Sequence, residues 1–95
     1  MTNKIKVKLF AYLREKFGSE VIVEVSDGEK IMMVLQELSR KLAGLNIIDE
    51  KGKLTEGLVL YINGEKAEEG DLLKEAKDGM VLALLPPMSG GYTSY

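Results

Sequence analysis

The chain contains no cysteine and no histidine. The first absence removes thiol nucleophiles and disulfides. The second removes the usual general base near neutral pH, and together they remove the common zinc ligands. No catalytic side chain and no metal site is therefore expected. A cysteine-free chain suits a reducing compartment. No apolar run approaches the ~20 residues needed to span a bilayer. The opening "MTNKIKVKLF" alternates charge with hydrophobe and lacks the continuous apolar stretch of a signal peptide. The expected address is the cytoplasm, with no membrane partner. Positive charge is also not in excess. Thirteen Lys and Arg against 15 Asp and Glu give a formal charge of −2, which argues against nucleic acid as the main partner. Proline occurs only twice, at the adjacent positions 86 and 87.

Alternation and helical spacing are both plentiful. "KIKVKLF" places Ile5, Val7 and Leu9 on one face of a half-buried strand and Lys4, Lys6 and Lys8 on the other. That basic stripe reads as a solvated strand face. In "FAYLREKFG" the residues Phe10, Leu13 and Phe17 recur at helical spacing, and Gly18 supplies a left-handed cap. "SEVIVEV" alternates again, with Val21, Val23 and Val25 inward, and so short a link predicts antiparallel pairing with the first strand. The longest helix carries Ile31, Val34, Leu35, Leu38 and Leu42 as one stripe. Ser26 and Glu29 have capping-box spacing, but the first turn could equally begin near Lys30. Met32 and Met33 read as edge-of-core packing.

Residues 44–57 carry glycine and charge without periodicity and read as a loop, with a small hairpin at Lys51-Gly52. The adjacent acids Asp49 and Glu50 read as a solvated turn, not a metal site. "LVLYI" and "MVLALL" are apolar on consecutive positions, which predicts strands buried on more than one side, the last one central. Asn63-Gly64 is a hairpin turn, and "DLLKEA" fits one helical turn. The whole describes an α+β domain with the β-grasp arrangement: a mixed sheet of four or five strands, one main helix on one face, and parallel first and last strands. This single domain covers residues 1–87, and 88–95 form a C-terminal tail.

The tail has its own logic. Pro86 and Pro87 end the hydrogen-bonded ladder and favour a stiff, extended lead. Gly90 and Gly91 have no Cβ and can thread a channel too narrow for other residues. A central strand, a stiff lead and a side-chain-free tip suit insertion into another protein's active site. Residues 86–95 are expected to be mobile. Sheet residues left uncovered by the long helix, with Leu84, Leu85, Pro86, Pro87 and Met88, are the expected partner-docking surface.

"KVKLFAYLREKFG", "INGE" after a strand, "DG" before an apolar strand and "LLPPMSGG" together resemble the ubiquitin-like family of molybdopterin-synthase small subunits and thiamine sulfur carriers. The likeness runs nearly the whole chain to Gly91. It implies that an E1-like enzyme adenylates the Gly91 carboxylate with ATP and Mg²⁺. A thiocarboxylate then forms and donates sulfur, with Gly90 giving access. No cofactor is bound by the carrier itself. The implied partners are that enzyme and the large subunit of molybdopterin synthase.

The departure from the family pattern is "YTSY", which locks Gly91 in a peptide bond. Trimming by a processing protease, an inactive relative, or residues appended to the natural chain would each explain it, and trimming is favoured. Two other functions compete with a sulfur carrier in molybdopterin synthesis. One is a protein modifier joined through Gly91 to lysines of target proteins, as in the small archaeal modifiers. The other is a β-grasp interaction module without C-terminal chemistry.

Overall fold

A computed structural model of the chain describes residues 1–86. Five strands, two α-helices and one 3-10 turn follow in order: β1 Thr2–Leu9, α1 Ala11–Phe17, β2 Glu20–Ser26, α2 Ile31–Lys41, β3 Val59–Ile62, β4 Glu65–Lys66, a 3-10 turn Glu69–Leu73, and β5 Val81–Leu85. The sheet order is β2-β1-β5-β3-β4. β1 and β2 pair antiparallel, and β1 and β5 pair parallel with Val7 beside Leu82 and Leu9 beside Leu84. β3 runs antiparallel to β5 on its other side. This is the β-grasp arrangement expected from the sequence, with the last strand at the centre.

Alternation decides which residues enter the core. Ile5, Val7 and Leu9 of β1, Val23 and Val25 of β2, Leu60 of β3, and Leu82 and Leu84 of β5 are all buried. They pack against Leu13 of α1 and against Ile31, Val34, Leu35 and Leu38 of α2, with Leu42 just beyond it. The α2 stripe therefore lies on the sheet as its spacing predicts. Met32 and Met33 are half-buried at the edge of this core. Among the described residues no polar or charged residue is buried, so the core involves no desolvated charge.

Several local expectations are corrected. Of the two starts open to α2, the one near Lys30 is realised: the helix begins at Ile31 with Lys30 as an uncapped N-cap, and the Ser26–Glu29 capping box does not form. The Ile31 N–H donates instead to the Lys74 carbonyl at 2.9 Å, and the Ala76 N–H to the Glu29 carbonyl at 2.8 Å. A neighbouring segment thus satisfies an orphan helix donor that a side chain would otherwise cap. Gly18 closes α1 at φ 100°, ψ 170°, which is not the left-handed helical conformation, although its N–H still reaches the Arg14 carbonyl. Phe10 does not join the buried stripe of α1; it is an extended residue, 38% exposed.

The 44–57 loop does contain a small hairpin. Ile48 and Leu54 form an antiparallel bridge, and the Asp49 carboxylate accepts the N–H groups of Lys51 and Lys53 at 2.8 and 3.0 Å. Asp49 is a turn residue, as its composition suggests. At the β3–β4 hairpin Asn63 (φ 50°) and Gly64 (φ 89°) adopt the paired positive angles of a type I′ turn. The Asn63 N–H donates to the Val81 carbonyl at 2.8 Å, while its Oδ1 accepts the Val81 N–H at 2.9 Å. One side chain so fixes the turn and the start of the central strand. The expected mobility of residues 86–95 concerns positions that lie, after Pro86, outside the described residues.

Candidate functional site

The helices cover one face of the sheet and leave the other open. Cross-strand pairing sets that open face residue by residue: Lys6 lies beside Ile22 and Val81, Lys8 beside Glu20 and Ala83, and Ala83 beside Tyr61. Val81, Ala83 and Leu85 of β5 and Val59 and Tyr61 of β3 are half-buried there, and Ile22 is 44% exposed. The consecutive apolar residues of β3 and β5 do not mean burial on both sides. Leu60, Leu82 and Leu84 point to the core, and their neighbours form an open apolar strip. An apolar strip left uncovered on a small domain is a typical partner site.

Along the strip runs a groove of about 400 Å³, lined by Lys8, Phe10, Tyr61, Val81, Ala83 and Leu85. Phe10 stands here because it is an extended residue directly after buried Leu9, so the β1 alternation puts it on the open face with Lys8. Ala11 has φ 55°, a left-handed backbone that costs a residue with a Cβ about 1–2 kcal/mol. There the chain turns from β1 into α1. Leu85, the last residue of β5, lines the same groove. β5 therefore ends at the open face, with Leu85 and the exposed Phe10 ring lining one groove.

Of the residues expected to dock a partner, Leu85 lies in the groove. Leu84 is fully buried and Pro86 is buried, so neither belongs to an exposed patch. Alternation makes this unavoidable for Leu84, which pairs with core residues Leu9 and Leu60. Pro87, Met88, Gly90 and Gly91 lie outside the described residues. Sequence reasoning missed Phe10, Tyr61 and Ala83. Period-two counting along β5 from buried Leu82 would have found Ala83, and the same counting along β1 from buried Leu9 would have found Phe10.

Charge elsewhere serves structure. A backbone N–H from Lys53 chiefly holds the Asp49 carboxyl below its ordinary value. The Asp71 carboxyl is likewise lowered, first by the Glu68 N–H and then by Lys74. Lys53 and Lys74 are raised by hydrogen bonds to Glu69 and Asp71. Among the described residues no group of three or more acidic side chains is placed to hold a metal ion. Nor is any described helix long and apolar enough to cross a membrane.

A model of the ThiS family matches residues 7–91. No curated protein sequence matches the chain significantly. Solved structures do. The small archaeal modifier protein 1 (SAMP1) from Methanosarcina acetivorans is 36% identical, with TM-score 0.74, covering 96% of this chain and 99% of that one. A putative molybdopterin converting factor, subunit 1, from Pyrococcus furiosus is 26% identical, with TM-score 0.66, covering 90% and 98%. A chain of the BexX/CysO complex from Amycolatopsis orientalis is 26% identical, with TM-score 0.65, covering 92% and 99%.

Proposed function

The chain belongs to the ThiS family, and from that premise we propose that it is a sulfur carrier for molybdopterin synthesis, activated at Gly91 in the cytoplasm. The ubiquitin-like carriers and modifiers of this family share one architecture, a β-grasp domain whose C-terminal tail carries the chemistry. The observation that carries the reading is where the family match ends. It stops on Gly91, four residues before Tyr95, and the last residue of β5, Leu85, lines the open apolar groove.

The chemistry needs no catalytic side chain from this protein. Hydrolysis of the Gly91–Tyr92 peptide bond by a processing protease consumes one water and frees the Gly91 carboxylate. A carboxylate oxygen then attacks the α-phosphorus of ATP on an E1-like enzyme with Mg²⁺, and pyrophosphate leaves. Sulfide-level sulfur, written as HS⁻, attacks the acyl carbon and AMP leaves, giving the thiocarboxylate and releasing the thiol proton. Splitting one difficult substitution into two easier ones is the general advantage of an activated acyl intermediate. Transfer of the sulfur on the large subunit of molybdopterin synthase returns the carboxylate. Gly90 and Gly91 let the backbone enter a narrow channel, while the groove around Phe10, Tyr61 and Leu85 holds the domain outside it.

A second reading has its own support: the 36% identity to a small archaeal modifier protein exceeds the 26% to the converting-factor subunit. In that reading a lysine amine of a target protein displaces AMP, forming an isopeptide bond to Gly91. Mass spectrometry of the protein from its native cells separates the two. A chain ending at Gly91 with sulfur in place of one carboxylate oxygen is the carrier's product. Branched lysine peptides without any thiocarboxylate would refute the carrier reading and leave the modifier. Only full-length chains ending at Tyr95 would refute both.

A further inference from the structure

The lysine stripe of β1 is not absorbed by the core, the turns or the tail. Lys4, Lys6 and Lys8 are all exposed on the open face. Pairing sets this row directly beside the apolar row of β5, Lys6 next to Val81 and Lys8 next to Ala83. Lys8 also lines the groove. On the other flank Glu24 stands opposite Lys4 and Glu20 opposite Lys8, but Ile22 stands opposite Lys6. Lys6 therefore sits between two apolar neighbours with no acid in register. Among the described residues none of the three lysines forms an ion pair within 4.0 Å. A chain of net charge −2 thus places unneutralised positive charge along the border of its apolar groove.

We infer that Lys6 and Lys8 are the electrostatic half of the docking face, and that the partner it fits is an acidic protein surface. That surface would set a carboxylate against Lys6, beside an apolar side chain that fills the groove between Phe10, Tyr61 and Leu85. The inference rests on the carrier reading, because the partner in question is the activating enzyme. Charge complementarity across an interface mainly raises the association rate and fixes the register, and rim pairs weaken with salt. A second copy of this chain fits poorly, since symmetric docking would bring an identical lysine row against this one. A nucleic acid fits poorly as well, because three lysines beside two glutamates are too few charges for phosphate binding.

The test uses the chain ending at Gly91 and its cognate adenylating enzyme, with ATP–pyrophosphate exchange measured across a salt series. For the wild type, KM for the carrier rises with salt. The Lys6→Glu/Lys8→Glu variant raises KM about tenfold at low salt, reverses the salt dependence so that KM falls as salt rises, and leaves kcat unchanged. Glu20→Lys, on the same face, lowers KM. Opposite signs from exposed charges on one face are not produced by a merely structural role, and circular dichroism checks that each variant is folded. A KM within twofold of wild type in the double lysine variant, or a fall in kcat at constant KM, would overturn the inference. So would a dimer of the free chain that Lys6→Glu dissociates, or binding to single-stranded DNA that the same variant abolishes. If the wild-type chain ending at Gly91 supports no exchange, the carrier reading fails first and this inference falls with it.

Discussion

Leu84 and Leu85 are adjacent on the central strand, and the fold assigns them opposite tasks. Leu84 is fully buried, in register with Leu9 and Leu60, which are also buried. Truncation to alanine removes three carbons from a site walled by strands on both sides, where little can collapse into the space. Such a change costs about 3–4 kcal/mol, the middle of the range for large-to-small core substitutions. For a domain of this size each kcal/mol lowers Tm by about 4–8 °C, so Leu84→Ala should lose about 12–30 °C. Leu85 is half-buried on the open face. Its truncation forfeits about half of a leucine's burial, about 1 kcal/mol, and Tm falls by about 4–8 °C. Docking should follow the reverse order. In exchange assays run well below Tm, Leu85→Ala raises KM for the carrier, whereas Leu84→Ala leaves it close to wild type. Thermal unfolding by circular dichroism with exchange kinetics on the same preparations gives both readouts. Equal losses of stability at the two positions, or a larger docking defect from Leu84→Ala, would refute the division of β5 into a core face and a docking face.

Three further outcomes follow from local geometry. Asn63→Ala removes the acceptor for the Val81 N–H and the residue that tolerates φ 50°; urea titration should show a loss of about 1–2 kcal/mol, with Asn63→Asp close to wild type. Ala11→Gly relieves a left-handed backbone at φ 55° and should gain about 0.5–1 kcal/mol in the same titration, whereas Ala11→Val should lose stability. Asp49 and Asp71 have carboxyls lowered from 3.8 in the folded chain, so the stability they contribute is present above that value and is lost as pH falls through their folded values. Tm should therefore decline below about pH 4, and Asp71→Asn should decline less steeply over that range than the wild type.

Much of the fold was legible because alternation and helical spacing are read without tertiary information. Ile5, Val7 and Leu9, the α2 stripe and the Asn63-Gly64 turn all occupy the places their patterns require. The pattern misled where it ran continuously apolar. Continuous apolarity in "VLALL" predicts burial on more than one side, yet Val81, Ala83 and Leu85 face an open side half-buried, and composition cannot separate the two cases. For α2 the spacing leaves two starts open, and the one near Lys30 is realised. The Ser26–Glu29 spacing looked like a cap, yet the donor at Ile31 is satisfied by a carbonyl 43 positions later in the chain, at Lys74. The capping box that does form uses Glu68 with Asp71 at the 3-10 turn, where no Ser or Thr announces it. At the candidate site, the likeness in "LLPPMSGG" pointed to Gly91 directly. Phe10 was legible too: period-two alternation past buried Leu9 puts it on the open face with Lys8, whereas the helical spacing with Leu13 and Phe17 pointed to the core instead.

The central claim is that Gly91, once freed, is the acyl group on which the protein acts. ATP–pyrophosphate exchange by the cognate adenylating enzyme tests it most directly, comparing the 95-residue chain, a chain ending at Gly91, and that shorter chain carrying Gly91→Trp. Adenylation needs a free carboxylate, and in the 95-residue chain the carboxylate lies on Tyr95, beyond four further residues. Exchange should be supported by the chain ending at Gly91 alone, with all three proteins equally folded. Equal exchange from the 95-residue chain, or undiminished exchange from the tryptophan variant, would contradict the account.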